Sequence, residues 1–485
     1  MSLTTDLATT VGLEIHVELS TNTKMFCGCP VAFGGEPNTR VCPVCLGHPG
    51  TLPVPNEVAV EYATKIALAL GCEIAPYSIF HRKNYFYPDM PKNYQISQYD
   101  IPIGSRGGLE IESGGKTQIV RITRVHLEED TGKSLHIGGG GRIDESTHSL
   151  EDFNRAGTPL VEIVTEPDLT SPESARIFAT ELRSILEYLE VSDVRMEQGS
   201  MRVDANISVA RSGERGVKAE VKNMNSLRSI ERALAYEQER QGHLVAKGLT
   251  MASSTRHWDE NSGQTKPLRT KEEAFDYRYF PEPDLTPIAP SIDWIAGLQD
   301  QIPELPSQRR LRLESDLGLS PYDSSVLTSS KAIGDFYEQA CKAAQKAEPK
   351  QVANLLTNEV VAALTERNEE LEDSKLTPEA LGELADLAAE GAVSKNQSKE
   401  ILAEILKAGG SPGQVMQSKG IRQVSDTGTL EAAVDEAIAA NPDVAERIKA
   451  GEDKPFGFMV GQVMKATKGQ GNPKIINDLL KKRLR

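Results

Sequence analysis

Cysteine is scarce in this chain of 485 residues, which holds six. Six thiols in a chain of that length are no disulfide framework. No apolar run approaches membrane-spanning length, which excludes a bilayer-crossing helix. The opening M-S-L-T-T-D-L-A-T-T has neither the basic start nor the apolar run of a signal peptide. A cytosolic protein is expected, or one of an organelle matrix after removal of a transit peptide. Two nucleotide signatures are missing: there is no G-x-x-x-x-G-K-[ST], and no strand-anchored G-x-G-x-x-G. The four glycines Gly138 to Gly141 read instead as a hairpin tip. No internal repeat is visible. Positive charge is also short: 54 Lys and Arg face 70 Asp and Glu, a formal charge of −16. Nothing in that total advertises nucleic-acid binding. The end of the chain departs from it, with eight Lys/Arg from Lys454 to Arg485 against one acid, Asp478. A basic end suits a local anionic partner, or a helix terminus whose cations complement the macrodipole.

Four of the six cysteines cluster. Cys27 and Cys29 form C-x-C, and twelve residues later Cys42 and Cys45 form C-x-x-C. Two close pairs on tight turns bring four thiolates to one tetrahedral cation, which suits a structural Zn²⁺ in a zinc ribbon. Four cysteines leave no open position for catalysis. Four free buried thiols are the plainer account. Cys72 and Cys341 stand alone and read as core residues.

V-G-L-E-I-H-V-E-L, Val11 to Leu19, alternates Leu13, Ile15, Val17 and Leu19 with Glu14, His16 and Glu18. That is the period of a half-buried strand with one apolar face. On the other face a Glu and a His two residues apart can share a divalent cation, or simply be solvated. Further segments repeat the pattern. Arg121 to Glu129 reads as a strand delivering Glu128, Glu129 and Asp130 to its end, where adjacent acids repel unless a cation offsets them. Leu160 to Val164 is a strand with Glu162 inside it. Met201 to Val209 sets Arg202, Asp204, Asn206 and Ser208 on one face, and Lys218, Glu220 and Lys222 alternate after it. Asn56 to Leu70 reads as a helix by its spacing, and helices over 172–190 and 227–241 can cover the apolar face. The polar face reads as the floor of an open, charged cleft in which acids hold Mg²⁺ and Mg²⁺ holds phosphates. Phe80 to Asp100 interleaves aromatics with Arg82, Lys83 and Lys92, a composition suited to a base and its phosphates or to a loop pinned by its own rings. The proline-dense stretch Asp276 to Asp293 marks a boundary, after which helical spacing runs from about 305 to 405. Gly409 to Gly413 reads as a hinge.

Seven ordered motifs carry a resemblance: G-L-E-I-H-V-E-L, R-K-N-Y-F-Y-P-D, H-L-E-E-D-T-G-K, G-T-P-L-V-E-I-V, D-A-N-I-S, D-Y-R-Y-F-P-E-P-D and G-Q-V-M-K-A-T-K-G. Together they resemble the GatB family, the B subunits of tRNA-dependent amidotransferases, over essentially the whole chain. The resemblance implies an α+β fold: a mainly antiparallel, glutamine synthetase-like cradle with a zinc ribbon over 1–293, an all-α helical domain over 294–407 and a YqeY-like tRNA-binding tail over 408–485. It implies a ligase that uses ATP and Mg²⁺ to phosphorylate the side-chain carboxylate of Glu-tRNA(Gln) or Asp-tRNA(Asn). Ammonia then displaces the phosphate. It comes through a tunnel from an amidase subunit, GatA, braced by a small subunit, GatC, and this chain has no recognisable amidase serine array of its own. Carried over by motif, Glu14, His16 and Glu129 are the expected Mg²⁺/ATP residues, with Glu128 beside them. Lys83 is expected to face the phosphate or the tunnel mouth. Asp204, Asn206, Glu220 and Lys222 are further candidates from the strand rows. Two other classes remain: a ligase for a small-molecule carboxylate, and a non-catalytic zinc-ribbon RNA-binding module.

Overall fold

The alternation at the front of the chain becomes the middle of a large sheet. The computed structural model describes residues 7–138, 146–270, 277–367, 369–421, 427–450, 452, 454–467, 471 and 473–484. Part of the four-glycine run, Asp276, Lys468 and Arg485 lie outside the described residues. In chain order the first unit, which ends at Leu305, comprises β1 (Leu7–Glu18), α1 (Glu57–Ala69), β2 (Glu73–Ile74), β3 (His81–Asn84), β4 (Tyr94–Ser97), β5 (Gly104–Ser113) and β6 (Lys116–Glu129). There follow β7 (Lys133–Ile137), β8 (His148–Asp152), β9 (Pro159–Thr165), α2 (Pro172–Tyr188), β10 (Met201–Arg211) and β11 (Ala219–Met224). It closes with α3 (Leu227–Ala246), β12 (Ser254–Asp259), β13 (Gln264–Thr270), β14 (Phe280–Pro281) and α4 (Ile292–Gln299).

Nine strands form one sheet in the order β13-β12-β11-β10-β1-β9-β6-β5-β2. Every pair is antiparallel except β11 with β12. Leu13, Ile15 and Val17 of β1 share one buried face with Val203 and Ala205 of β10 and with Val161 and Ile163 of β9. Helices α1, α2 and α3 cover that face, with Ile66, Phe178, Leu182, Ile230 and Leu234 in the same core. Their starts are set locally. Asn56 accepts from the Ala59 amide, Ser171 and Ser174 form a capping box ahead of Pro172, and Ser226 accepts from the Ser229 amide. The opposite face keeps the polar half of each strand. Beside it β14-β3-β4 make a second sheet in which Phe280 pairs with Arg82, so two motifs some two hundred residues apart are neighbours.

The second unit, from Pro306, is helical and has two apolar clusters. One runs from Leu313 to Ile421 and includes Tyr337, Leu384 and Ile405. The other runs from Leu430 to Leu484 and joins helices Thr427–Ala440, Pro442–Lys449, Lys454–Ala466 and Pro473–Leu484. The last of these ends in Lys481, Lys482 and Arg483, and Arg483 pairs with Asp435 at 3.0 Å. No helix among the described residues is long and apolar enough to cross a membrane.

Candidate functional site

Register, rather than any single motif, assembles the polar face. In β1, His16 stands opposite Glu162 of β9, and Glu162 stands opposite His126 of β6. On the other flank Glu14 faces Asp204, and His16 faces Arg202, both from β10. The side chains converge. His16 Nε2 lies 3.4 Å from Glu162, 3.6 Å from Glu128 and 3.8 Å from Glu14. His126 Nε2 lies 3.5 Å from Glu162 and 3.8 Å from Glu128, and the Arg124 guanidinium donates to Glu162 at 3.0 Å.

These neighbours set the charges. Burial works against a charged His16, but the Glu162 hydrogen bond and the carboxylates of Glu128 and Glu14 outweigh it and push its pKa up to about 9. Burial and the Glu162 anion push Glu14 up. Burial also opposes ionisation of Glu162, yet His126, His16 and Arg124 hold it far below the usual carboxylate range. Without a metal, the charged His16 and the Arg124 guanidinium face these carboxylates, with the His126 ring beside them. The donor atoms of Glu14, His16 and Glu162 lie within 4.8 Å of one another, as do those of His126, Glu128 and Glu162. Carboxylate oxygens with an imidazole nitrogen at that spacing fit a divalent cation.

Of the expected residues, Glu14, His16 and Glu128 meet here. Lys83 joins them from β3: its burial favours the neutral amine, but Glu128, Tyr279 and Glu162 hold it above the usual lysine range. Its Nζ lies 5.0 Å from the Tyr277 ring centroid. Asp204, Glu220 and Lys222 form a second knot along the same face, with Lys222 Nζ 2.5 Å from Asp204 and 3.1 Å from Glu220. Asn206 Oδ1 is buried there without a hydrogen bond. Glu129 goes elsewhere. Alternation places it on the side of β6 away from Glu128, where it binds the Lys92 ammonium and accepts from the Ile96 amide at 2.9 Å. It lines a cavity of about 240 Å³ with Lys92, Arg82, Cys27 and Cys45. Glu162 and His126 join the group of Glu14, His16 and Glu128. Glu162 had a sequence signal, an acid inside the otherwise apolar run L-V-E-I-V. His126 had only its alternation with Glu128.

The four cysteine sulfurs also lie within 4.8 Å of one another. A tetrahedral zinc with bonds of about 2.3 Å sets its sulfurs about 3.8 Å apart, so the group fits that ion. The pairs sit on turns. Among the described residues the stretch 20–56 has the isolated bridge Thr23–Pro30 but no regular strand, unlike the hairpins of a ribbon.

Two family models match the chain: the GatB/GatE catalytic domain over residues 9–296 and a GatB domain over 335–484. Relatives named as the B subunit of aspartyl/glutamyl-tRNA(Asn/Gln) amidotransferase are similar along nearly their full length. The one from Carboxydothermus hydrogenoformans is 47 % identical over 476 residues, 98 % of each chain. The one from Brevibacillus brevis is 50 % identical over 474 residues, 97 % of this chain and 98 % of its own. The one from Moorella thermoacetica is 49 % identical over 476 residues, 98 % of this chain and 99 % of its own. The chain belongs to the GatB/GatE family.

Proposed function

We propose that this chain is the B subunit of an amidotransferase that converts Glu-tRNA(Gln), Asp-tRNA(Asn) or both into the correctly charged amide. The observation that carries the reading is the meeting of His16 with Glu14, Glu128 and Glu162 on the sheet face away from the helices, in a chain whose relatives bear that name. The substrate carboxylate has a poor leaving group. ATP and Mg²⁺ supply the remedy, a phosphoryl group on that carboxylate with its charge neutralised. Ammonia can then attack the acyl carbon and inorganic phosphate departs.

This chain's residues do the holding. Glu14, His16 and Glu162, with Glu128 and His126 adjoining, would hold the cation. Lys83 stands beside Glu128 and suits the negative oxygens of the transferring phosphoryl. The Asp204–Lys222–Glu220 knot and Asn206 line the same face and suit the remaining nucleotide or the amino-acid end of the tRNA. Arg124 keeps Glu162 ionised. The first unit is then a cradle of glutamine synthetase type. The helical cluster and the basic-ended tail grip the tRNA, whose backbone such cations position without reading its sequence. Partners of GatA and GatC type provide ammonia and bracing, in the cytoplasm, and the cysteines hold a structural zinc.

The test is hydroxamate formation. Purified chain, ATP, Mg²⁺ and Glu-tRNA(Gln) are mixed with hydroxylamine, a nucleophile that bypasses the amidase. ATP-dependent hydroxamate on the tRNA-borne side chain is expected, with the lone chain or after adding the partner subunits. Activity on a free small-molecule carboxylate without tRNA, or no product with the partners present, would refute the reading.

A further inference from the structure

Lys24 is 1 % exposed, yet its ammonium meets no carboxylate within ion-pair distance among the described residues. Its Nζ donates to the Phe153 carbonyl at 3.1 Å and points at Cys45 Sγ, 3.7 Å away. A buried ammonium is costly unless an anion faces it. The anion at hand is sulfur. Four thiolates carry twice the charge of the one divalent cation they surround, so a filled centre is left with two surplus negative charges. A single buried ammonium offsets half of that surplus.

Lys24 also stands at a junction. The loop between the cysteine pairs is laced to residues 151–154: Asn38 exchanges hydrogen bonds with Asp152, Glu151 and Phe153, and the Arg40 amide donates to Asn154 Oδ1 at 2.8 Å. Gly157, at φ +88°, packs where an added Cβ would lie 3.4 Å from the Lys24 stem and 3.6 Å from Cys45 Cβ. The segment continues into β9, which carries Glu162, and its Arg155 donates to the Thr131 and Gly132 carbonyls.

We infer that Lys24 is the counter-cation of a metal–tetrathiolate centre, donating to the Cys45 sulfur and, through Phe153, tying that centre to the segment that enters β9. The inference rests on the zinc reading of the four cysteines. A second-layer donor of this kind sets how firmly the first layer holds its metal.

The experiment uses the full chain, zinc alone and a competing chromophoric chelator. Lys24→Met is expected to weaken zinc binding about 10–100-fold. Lys24→Gln keeps an N–H for the Phe153 carbonyl but loses the charge. It is expected to weaken binding likewise, and it carries the test if the methionine variant does not fold. Cobalt in place of zinc gives a readout that general loosening would not move. Without the N–H···S bond, the thiolate-to-cobalt charge-transfer band shifts to longer wavelength. Wild-type affinity within twofold and an unshifted cobalt band in a folded variant would overturn the role of Lys24 while leaving the zinc reading intact. A wild-type chain that takes up no zinc, with all four thiols freely alkylated, would overturn both.

Discussion

Glu162 and Glu237 are both buried in the first unit, and both carboxyls are held below the usual range, but their surroundings differ in kind. Burial opposes the Glu237 charge, and Arg240, Thr265 and Gln241 reverse that. Arg240 grips both oxygens at 2.9 and 2.8 Å, Arg256 adds a contact at 2.9 Å, and Gln241 donates at 3.1 Å. One carboxylate there has two guanidiniums. Around Glu162, three carboxylates share two imidazoles and one guanidinium. The saturated cluster lies between α3 and the β12–β13 edge and fastens the helix. The carboxylate–imidazole cluster lies on the sheet face away from the helices. Partners of a different kind distinguish the site from the rivet: imidazole nitrogens can ligate a cation together with the carboxylates, whereas guanidiniums cannot.

That contrast can be broken by matched substitutions. Glu162→Gln is expected to lower ATP-dependent hydroxamate formation by about 10³-fold, on the order of 4 kcal/mol of transition-state stabilisation. Stability should fall as well, because His126, His16 and Arg124 lose the carboxylate they hold ionised, so turnover is read per folded molecule. Glu237→Gln should act on stability alone. Denaturant unfolding should show a loss of about 3 kcal/mol, since two partly buried guanidiniums lose their buried partner, while turnover of the folded fraction is kept. The loss should depend on pH. Glu237 is depressed in the fold, so its contribution is complete above the unfolded value of about 4.3 and fades as pH falls through the folded one. The gap in stability between wild type and Glu237→Gln should therefore narrow as pH falls below about 4.3. Gly157→Ala should cost about 1–2 kcal/mol, because φ +88° strains any other residue there, with activity lost only in proportion to folding.

Local structure was largely legible. The alternation of Val11 to Leu19 became β1, the apolar spacing of 56–70 became α1, and Ser171-Pro172 marked the start of α2 as capping chemistry dictates. The cysteine group was also legible, because all four sulfurs come from one short stretch and spacing alone predicts their approach. The carboxylate group was legible only in part. Glu14 and His16 share a strand, so period two reveals them together. Glu162 reaches them through the β1–β9 register and His126 through β9–β6, and register is a property of the sheet, not of any one motif. Family likeness sets Glu129 beside Glu14 and His16, while alternation sets it apart from Glu128. A strand that turns Glu128 to one face turns Glu129 to the other, here toward Lys92. The pairing of β14 with β3 was equally out of reach, since nothing local to Phe280 names Arg82 as its neighbour.

The most direct test is Mn²⁺ binding, followed by its spin resonance, in wild type, Glu162→Gln and Glu129→Gln. The account predicts that Glu162→Gln weakens Mn²⁺ at least tenfold, while folded Glu129→Gln binds it as wild type does. Retention of the ion by Glu162→Gln together with its loss from Glu129→Gln would contradict the account and move the cation to the other side of the sheet.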